Sequence, residues 1–443
     1  MLKIVIKILV LLICVASHYL SEACTIVAVS GRITADGRPL LLKNRDSSTW
    51  DIKIKIGQGG RYTYLSQCFV PDGEALSGYN EMGFSIVNSH SYNMPNTGGG
   101  WNAYIMQQAL GKCATVDDFE HLLDALTKPI DVCANYGVMD AQGNVAIFEV
   151  SAYTYARYDA DSSSEGYLIR TNFSMSQDTT GLFQVLPTST PRYQIASSFL
   201  EEAVSFGGSI SKEDLFGLTR RLVDSQGYDL RDIAPYDEDT YTPVFFKYYV
   251  PRRTTTSAMI IQGVLPGEMP QLTTAWTMLG SPLSTVTIPF LITPSKTLPQ
   301  KAKRGVDGKS WLANKGQQLK NSLFVNDTTI NLAKLYNLSS TGIMQKTIAI
   351  EKEVLRLGNE LVDDMRINGL SNNDVATYYA WVDYYLEEQY NLYFPNTTNA
   401  IMNVEDDASE GEIEYYDLLG RRVRNVPANA VLKRSGNKVI ILN

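Results

Sequence analysis

The sequence predicts an α+β protein in which two sheets are sandwiched between helical layers, with a helical extension and a short β tail behind them. Three observations carry this reading. Apolar, β-branched runs recur in pairs around turn residues, the pattern of antiparallel hairpins. Pairs of segments with helical apolar spacing separate those hairpins. Near residue 300 the strand signals stop, and long helical spacing takes over.

Along the chain, residues 24–31 are apolar and β-branched enough for a buried strand, and Thr34-Ala35-Asp36-Gly37 is a turn signal. Residues 39–44 return as a second strand. A turn centred on Ala35 and Asp36 sets Cys24 opposite Ser47, and a slip of one or two residues keeps Asp46 within a cross-strand reach of roughly 5–8 Å. Residues 83–88 read as a strand that runs into a loop of Ser, Asn and Gly. Helices are expected over 103–110 and 116–126, the second capped by Thr115. Residues 135–139 and 145–150 form a hairpin around Asp140-Ala141-Gln142-Gly143-Asn144. A short strand over 167–171 ends on Asn172. Helices over 193–206 and 212–224 follow, then strands over 258–264 and 286–291.

Residues 301–315 are basic and polar, the composition of a linker. A helix over 347–367 stops at Asn368-Gly369, a good C-terminal cap. Ser371-Asn372-Asn373-Asp374 caps the next one, which carries Tyr378, Tyr379, Trp381, Tyr384, Tyr385, Tyr390 and Tyr393. Aromatic residues at that spacing are the core face of a packed helix more often than a binding platform. Glu405-Asp406-Asp407 and the acidic run over 410–414 mark a boundary, and short strands with a Gly420-Arg421-Arg422 turn close the chain.

The 443 residues are 44% apolar and 19% charged, the composition of a folded globular protein. A net charge of −8 leaves no basic footprint for nucleic acid. The three histidines form no HExxH motif and the five cysteines no CxxC pair, so neither a zinc hydrolase nor any other metal or cofactor site is expected. A dyad of a cysteine with His90 stays open.

The N-terminus has the layout of a removable leader. Lys3 and Lys7 precede an apolar run over 8–20, followed by Ser21-Glu22-Ala23. The run is too short for a spanning helix, which needs about 20 residues. Cleavage after Ala23 leaves Cys24 as the first residue of an exported protein, periplasmic, cell-surface or secreted, with no stable membrane span. Lipidation of Cys24 is the competing reading, but Ser21 and Glu22 stand where a lipoprotein signal has Leu and a small residue.

A terminal cysteine carries a thiol and a free α-amine on one Cα. The amine, with a pKa of roughly 7.7–8.0, can take the proton of a thiol near 8.5. Nucleophile and base then share one residue. Asp46 is the candidate to orient that amine. Asn172 and Asn88, each at a strand end, are candidate donors to an oxyanion.

Four motifs in this order resemble a known superfamily: Cys24-Thr25 at the cleavage point, Lys43-Asn44-Arg45-Asp46 on the return strand, Asn80-Glu81-Met82-Gly83, and Thr171-Asn172. The chain resembles the N-terminal-nucleophile cysteine hydrolases. Its nearest branches are the choloylglycine hydrolases with penicillin V acylase, and the acyl-coenzyme A:6-aminopenicillanic acid acyltransferases. The resemblance implies a four-layer αββα sandwich. It implies Cys24 as nucleophile, Asp46 as orienting acid, Asn172 as oxyanion donor and, more loosely, Asn88 beside it. Arg45 and Arg253 are the expected substrate-binding arginines, with Arg252 the adjacent choice. Lys43 stands where choloylglycine hydrolases usually have Arg, which favours the acyltransferase-like branch or weakens bile-salt specificity.

The implied activity is cleavage of a linear amide C–N bond through a thioester on Cys24, with a small-molecule amide as partner and no cofactor. A secreted dipeptidase of the same superfamily and a non-enzymatic, lipid-anchored binding protein are the alternatives. The expected organisation is a signal peptide over 1–23, a catalytic domain over 24–300, a packed helical extension over 301–404, and an acidic linker with a β tail over 405–443. That tail resembles terminal segments of exported proteins from Bacteroidetes-type bacteria, some of which are sorting signals.

Overall fold

In a computed structural model, the described residues are 23–70, 73–94, 99–177, 187–305 and 308–395, with four strand segments beyond 413. Residues 1–22 of the expected leader, the acidic stretch up to residue 413 and the turn at 420–421 lie outside them.

In chain order the strands are β1 (Cys24–Val29), β2 (Leu40–Asp46), β3 (Ile52–Gly59), β4 (Tyr62–Phe69), β5 (Ala75–Asn80), β6 (Ser85–His90), β7 (Ala134–Met139), β8 (Val145–Val150), β9 (Tyr155–Asp159), β10 (Tyr167–Arg170), β11 (Pro243–Phe245), β12 (Thr255–Gln262), β13 (Thr274–Leu279), β14 (Thr287–Phe290) and β15 (Thr329–Asn331). Helices α1 (Asn102–Lys112) and α2 (Val116–Ala125) connect β6 to β7, and α3 (Ser189–Gly207) and α4 (Lys212–Thr219) follow β10. After residue 300 come α5 (Trp311–Leu323), the single turn α6 (Leu332–Leu335), α7 (Ile343–Asn368) and α8 (Asn372–Tyr393).

One sheet has six strands in the order β10-β1-β2-β12-β13-β14, and the other has seven in simple succession from β3 to β9. β1 and β2 pack against β6 and β7 of the facing sheet. Every residue of both strands is therefore buried, as expected where both faces of a strand are covered. Helices α1 and α2 cover the outer face of the seven-stranded sheet through Ile105, Met106, Leu110, Phe119 and Leu123, which meet Phe84, Tyr136 and Phe148. Helices α4 and α7 cover the six-stranded sheet at β12 and β14. The architecture is an α+β sandwich of four layers, αββα.

Local chemistry explains the helix starts. Thr115 and Asp118 form a reciprocal capping box on α2, and Ser211 and Asp214 do the same on α4. At the end of α1 the helix touches β3 so closely that a Cβ on Gly111 would lie 1.5 Å from the Gly59 carbonyl oxygen.

Two expectations are corrected. Helix α4 ends at Thr219, short of the expected 224, because the buried Arg220 side chain turns to Glu351 on α7 with contacts of 2.7 and 2.6 Å. The β1–β2 hairpin pairs Cys24 with Arg45, not Ser47. Its connection is no tight turn: it holds a 3₁₀ turn over Gly31–Ile33 capped by Ser30, and Ala35 N–H donates to the Ile210 carbonyl. The midpoint thus falls one residue early, which moves the register by two.

The contact pattern divides the chain after Gln389. The first unit includes the sandwich and the helices up to that residue. In it, Tyr378 donates to the Val354 carbonyl at 2.9 Å, Tyr379 accepts from Leu291 N–H at 2.9 Å, and Tyr385 donates to the Ile350 carbonyl at 3.3 Å. These three tyrosines of α8 therefore hydrogen-bond within the unit, whereas Tyr384 is exposed. The second unit contains a four-stranded antiparallel sheet made of Glu414–Tyr416, Arg422–Val423, Leu432–Ser435 and Lys438–Ile441. No helix among the described residues is long and apolar enough to cross a membrane.

Candidate active site

Cys24 opens β1 between two neighbours. On one side β2 sets Arg45 opposite it; on the other, the pairing of Ile26 with Arg170 carries on so that Asn172 lies beside it. The Cys24 nitrogen donates to Asn172 Oδ1 at 3.0 Å. In the full chain this nitrogen belongs to the Ala23–Cys24 peptide bond; in a chain that begins at Cys24 it is the α-amine. Asn172 Nδ2 donates to the His90 carbonyl at 2.8 Å. With donors at one end and a carbonyl at the other, the carboxamide has one satisfied orientation.

The second donor to Asn172 Oδ1 is Arg192, whose Nη2 lies 2.8 Å away. The other guanidinium nitrogens bond the Cys24 carbonyl at 2.6 Å, Thr25 Oγ1 at 3.0 Å and the Thr188 carbonyl at 2.8 Å. Arg192 is completely buried. That burial lowers its pKa to about 10, helped by the nearby Arg252 and opposed by Asp46 and the Cys24 thiol. Sequence reasoning missed this residue because it began the helix at 193. Pro191 was the available signal: proline is favoured in a first helical turn, and α3 indeed starts at Ser189, which takes Arg192 into it.

Asp46 ends β2 and is fully buried. Its Oδ2 accepts from Arg252 Nε at 2.7 Å, and its Oδ1 from Thr255 Oγ1 at 2.5 Å and Asn44 Nδ2 at 3.4 Å. The Asp46 backbone, close to the Cys24 sulfur, pulls the thiol pKa down against the larger effect of burial. The arginine brought to the cluster is thus Arg252, not the expected Arg253. The latter turns outward to Asp327 at 3.0 Å and lies over the Phe324 ring, 36% exposed.

Arg45 is engaged inside the fold. Its Nη1 donates to Thr256 Oγ1 at 2.6 Å and to the Thr49 carbonyl at 3.1 Å, and its guanidinium lies over Phe69. Asn88 Oδ1 accepts from Lys43 Nζ at 2.6 Å, and the same ammonium bonds the Leu76 carbonyl at 2.6 Å. Asn88 is thereby tied to Lys43. Burial pushes the Cys24 thiol pKa up, Lys43 pulls it down, the Asp46 carboxylate pushes it up, and Arg45 pulls it down.

The segment that carries Asn172 is held from the opposite sheet. Asn135 on β7 donates to the carbonyls of Thr171 at 3.2 Å and Phe173 at 3.1 Å, one on each side of Asn172. Glu149 on β8 accepts from Arg170 Nε at 2.5 Å, Met175 N–H at 2.8 Å and Ser176 N–H at 2.7 Å. The His90 ring faces Cys133, with Nε2 4.0 Å from that sulfur, and it is the His90 carbonyl that meets Asn172. Among the described residues, Cys24, Cys68, Cys113 and Cys133 form no disulfide.

Residues 35–215 match the family model described as acyl-coenzyme A:6-aminopenicillanic acid acyl-transferase. The matched span is less than half of the chain. It starts after Cys24 and contains Asp46, Asn88, Asn172 and Arg192. No curated protein sequence matches. Among solved structures, conjugated bile acid hydrolase from Clostridium perfringens is 14% identical, covering 62% of this chain and 93% of its own at a TM-score of 0.37. Penicillin V acylase from Agrobacterium tumefaciens is 16% identical, covering 62% and 87% at a TM-score of 0.36. The Caenorhabditis elegans ortholog of N-acylethanolamine-hydrolyzing acid amidase is 14% identical, covering 41% and 86% at a TM-score of 0.30. The chain's family match, over residues 35–215, is to the acyl-coenzyme A:6-aminopenicillanic acid acyl-transferases.

Proposed function

We propose that removal of residues 1–23 during export yields a cysteine amidohydrolase that cleaves a linear amide C–N bond through a thioester on Cys24. The single observation behind this reading is the junction at Cys24, where its nitrogen meets Asn172 Oδ1 at 3.0 Å and its carbonyl meets Arg192 at 2.6 Å. Those bonds hold both ends of the residue that would carry nucleophile and base. An acceptor on one amine hydrogen aims the amine's lone pair, and the Asp46 backbone beside the sulfur stabilises the thiolate.

In the proposed reaction the α-amine takes the thiol proton as Sγ bonds to the substrate carbonyl carbon. Asn172 Nδ2 and a backbone N–H donate to the oxyanion. The tetrahedral intermediate collapses, the C–N bond breaks, and the α-ammonium returns the proton to the departing amine. Water attacks the thioester and releases the acid, with the thiol re-protonated. The family match supports a second acceptor: an amine in place of water would make the reaction acyl transfer.

The test is amine release from a panel of N-acyl amino acids, other acyl amides and dipeptides by the exported protein and its Cys24→Ala variant. Turnover of an acyl amide, lost in the variant at an unchanged melting temperature, is the expected result. Undiminished turnover by the variant would remove Cys24 from the reaction.

A further inference from the structure

We infer that the helix after residue 300 belongs to the catalytic apparatus, with Lys320 on α5 acting as a positioning residue for Asp46. The inference rests on the reading of Cys24 and Asp46 given above.

The six-stranded sheet is irregular beside Asp46. β12 pairs Thr255 with Asp46 and then Ser257 with Arg45, so Thr256 is a bulged residue. A bulge leaves part of the ladder unpaired and re-aims nearby side chains, and such irregularities concentrate beside active sites. Here Thr256 Oγ1 is turned to Arg45 at 2.6 Å, and Thr255 Oγ1 to Asp46 at 2.5 Å. The Thr255 carbonyl then needs another donor, because a buried backbone carbonyl left unpaired is costly. Lys320 Nζ supplies it at 3.0 Å.

A lysine is an expensive choice for that task. Lys320 is 3% exposed, and burial brings its pKa down to about 8, with Arg253 also lowering it and Asp46 opposing. A buried cation is tolerated where it has an anion to compensate. Asp46, whose Oδ1 is held by the hydroxyl of the residue Lys320 bonds, is such an anion. The approach of α5 is itself built for this reach. Gly316, one helical turn before Lys320, packs on Gly280 so closely that a Cβ there would lie 3.1 Å from the Gly280 Cα. Ser284 Oγ bonds the Gly316 carbonyl at 2.7 Å and fixes the helix at that point.

Loss of the Lys320 charge leaves the Asp46 carboxylate less compensated, and its field disfavours the Cys24 thiolate. The measurement is the pH profile of Cys24 alkylation by iodoacetamide in the exported protein, resolved from the other cysteines by peptide mass, for wild type and Lys320→Met. The expected result is about threefold slower labelling near pH 7, where Lys320 is charged, with the difference between the two profiles fading above pH 8. If the variant does not fold, Lys320→Gln, which keeps a donor but no charge, is held to the same expectation. An unchanged profile in a folded variant would reduce Lys320 to a structural cap and overturn the inference alone. A wild-type Cys24 that reacts no faster than Cys68, Cys113 and Cys133 would overturn the proposed function together with it.

Discussion

The Cys24 nitrogen and the Arg192 guanidinium converge on one atom, Asn172 Oδ1, at 3.0 and 2.8 Å. Removal of that oxygen costs twice. Asn172→Ala should lower kcat by about 10²–10³, the usual loss for a polar group that serves an oxyanion site. It should also destabilise the fold by about 1–3 kcal/mol, because a buried donor of Arg192 loses its acceptor. Steady-state kinetics and denaturant titration of one sample read both effects. A near-wild-type rate would take Asn172 out of the site.

Two adjacent arginines should differ sharply. Arg252 forms a buried pair with Asp46, at side-chain exposures of 9% and 0%. Arg252→Ala leaves that carboxylate short of its charge partner, a defect that costs about 3–5 kcal/mol. Arg253 pairs with the 93%-exposed Asp327, and Arg253→Ala should cost about 0–1 kcal/mol. Equal losses in chemical denaturation would contradict the placement of either residue.

The buried thiols make the fold sensitive to alkali. Burial raises Cys133 from 9.0 to about 11 and Cys113 from 9.0 to about 12. Above about pH 9 the unfolded chain ionises both while the fold keeps their protons, so stability falls as pH rises. Their contribution is complete below that point and is lost toward pH 11–12. Lys320 acts in the other direction: lowered from 10.5 to about 8, it is deprotonated first in the fold, so its contribution rises with pH across that window. Between about pH 9 and 10, below the lowered pKa of Arg192, two thiols oppose one amine, and a net decline is expected in denaturation curves there. Cys113→Ala with Cys133→Ala should flatten that decline, and an unaltered slope would rule the thiols out.

Close helix contacts should override helix propensity. Gly111→Ala gains about 1 kcal/mol of intrinsic helix preference. It sets a Cβ 1.5 Å from a backbone oxygen, and overpacking of this kind costs more than the typical 1–3 kcal/mol. A drop in melting temperature is the expected result. Gly207→Ala, near the end of α3 with nothing within 4 Å of its Cβ, should be neutral or stabilising. A stable Gly111 variant would show that α1 stands further from β3.

What could be read from the sequence followed how local each feature was. Cys24 and Asp46 belong to one hairpin, so strand pattern and turn residues brought them together even with the register two residues off. Asn172 was singled out because it follows a clear strand, and its place beside Cys24 depends on the pairing of β1 with β10. The α2 cap was visible because Thr115 and its helix are adjacent. Arg192 and Lys320 were not legible, since each reaches the cluster from a helix far along the chain, and nothing in its own neighbourhood says that it is buried. The choice between Arg252 and Arg253 was undecidable for a related reason: alternation sends neighbours to opposite sides, and only the packing of β12 on β2 says which side holds Asp46. Strands β3 to β5 were missed, where Lys53, Lys55 and Gln58 interrupt the apolar signal.

The most direct test of the account is the intact mass and first residue of the protein exported by its own cell. A chain that begins at unmodified Cys24 is the predicted result, because it sets a free amine against Asn172 and a free thiol beside the Asp46 backbone. A chain still joined through Ala23, or one with lipid on the Cys24 nitrogen, would leave no base at the site and contradict the proposed chemistry.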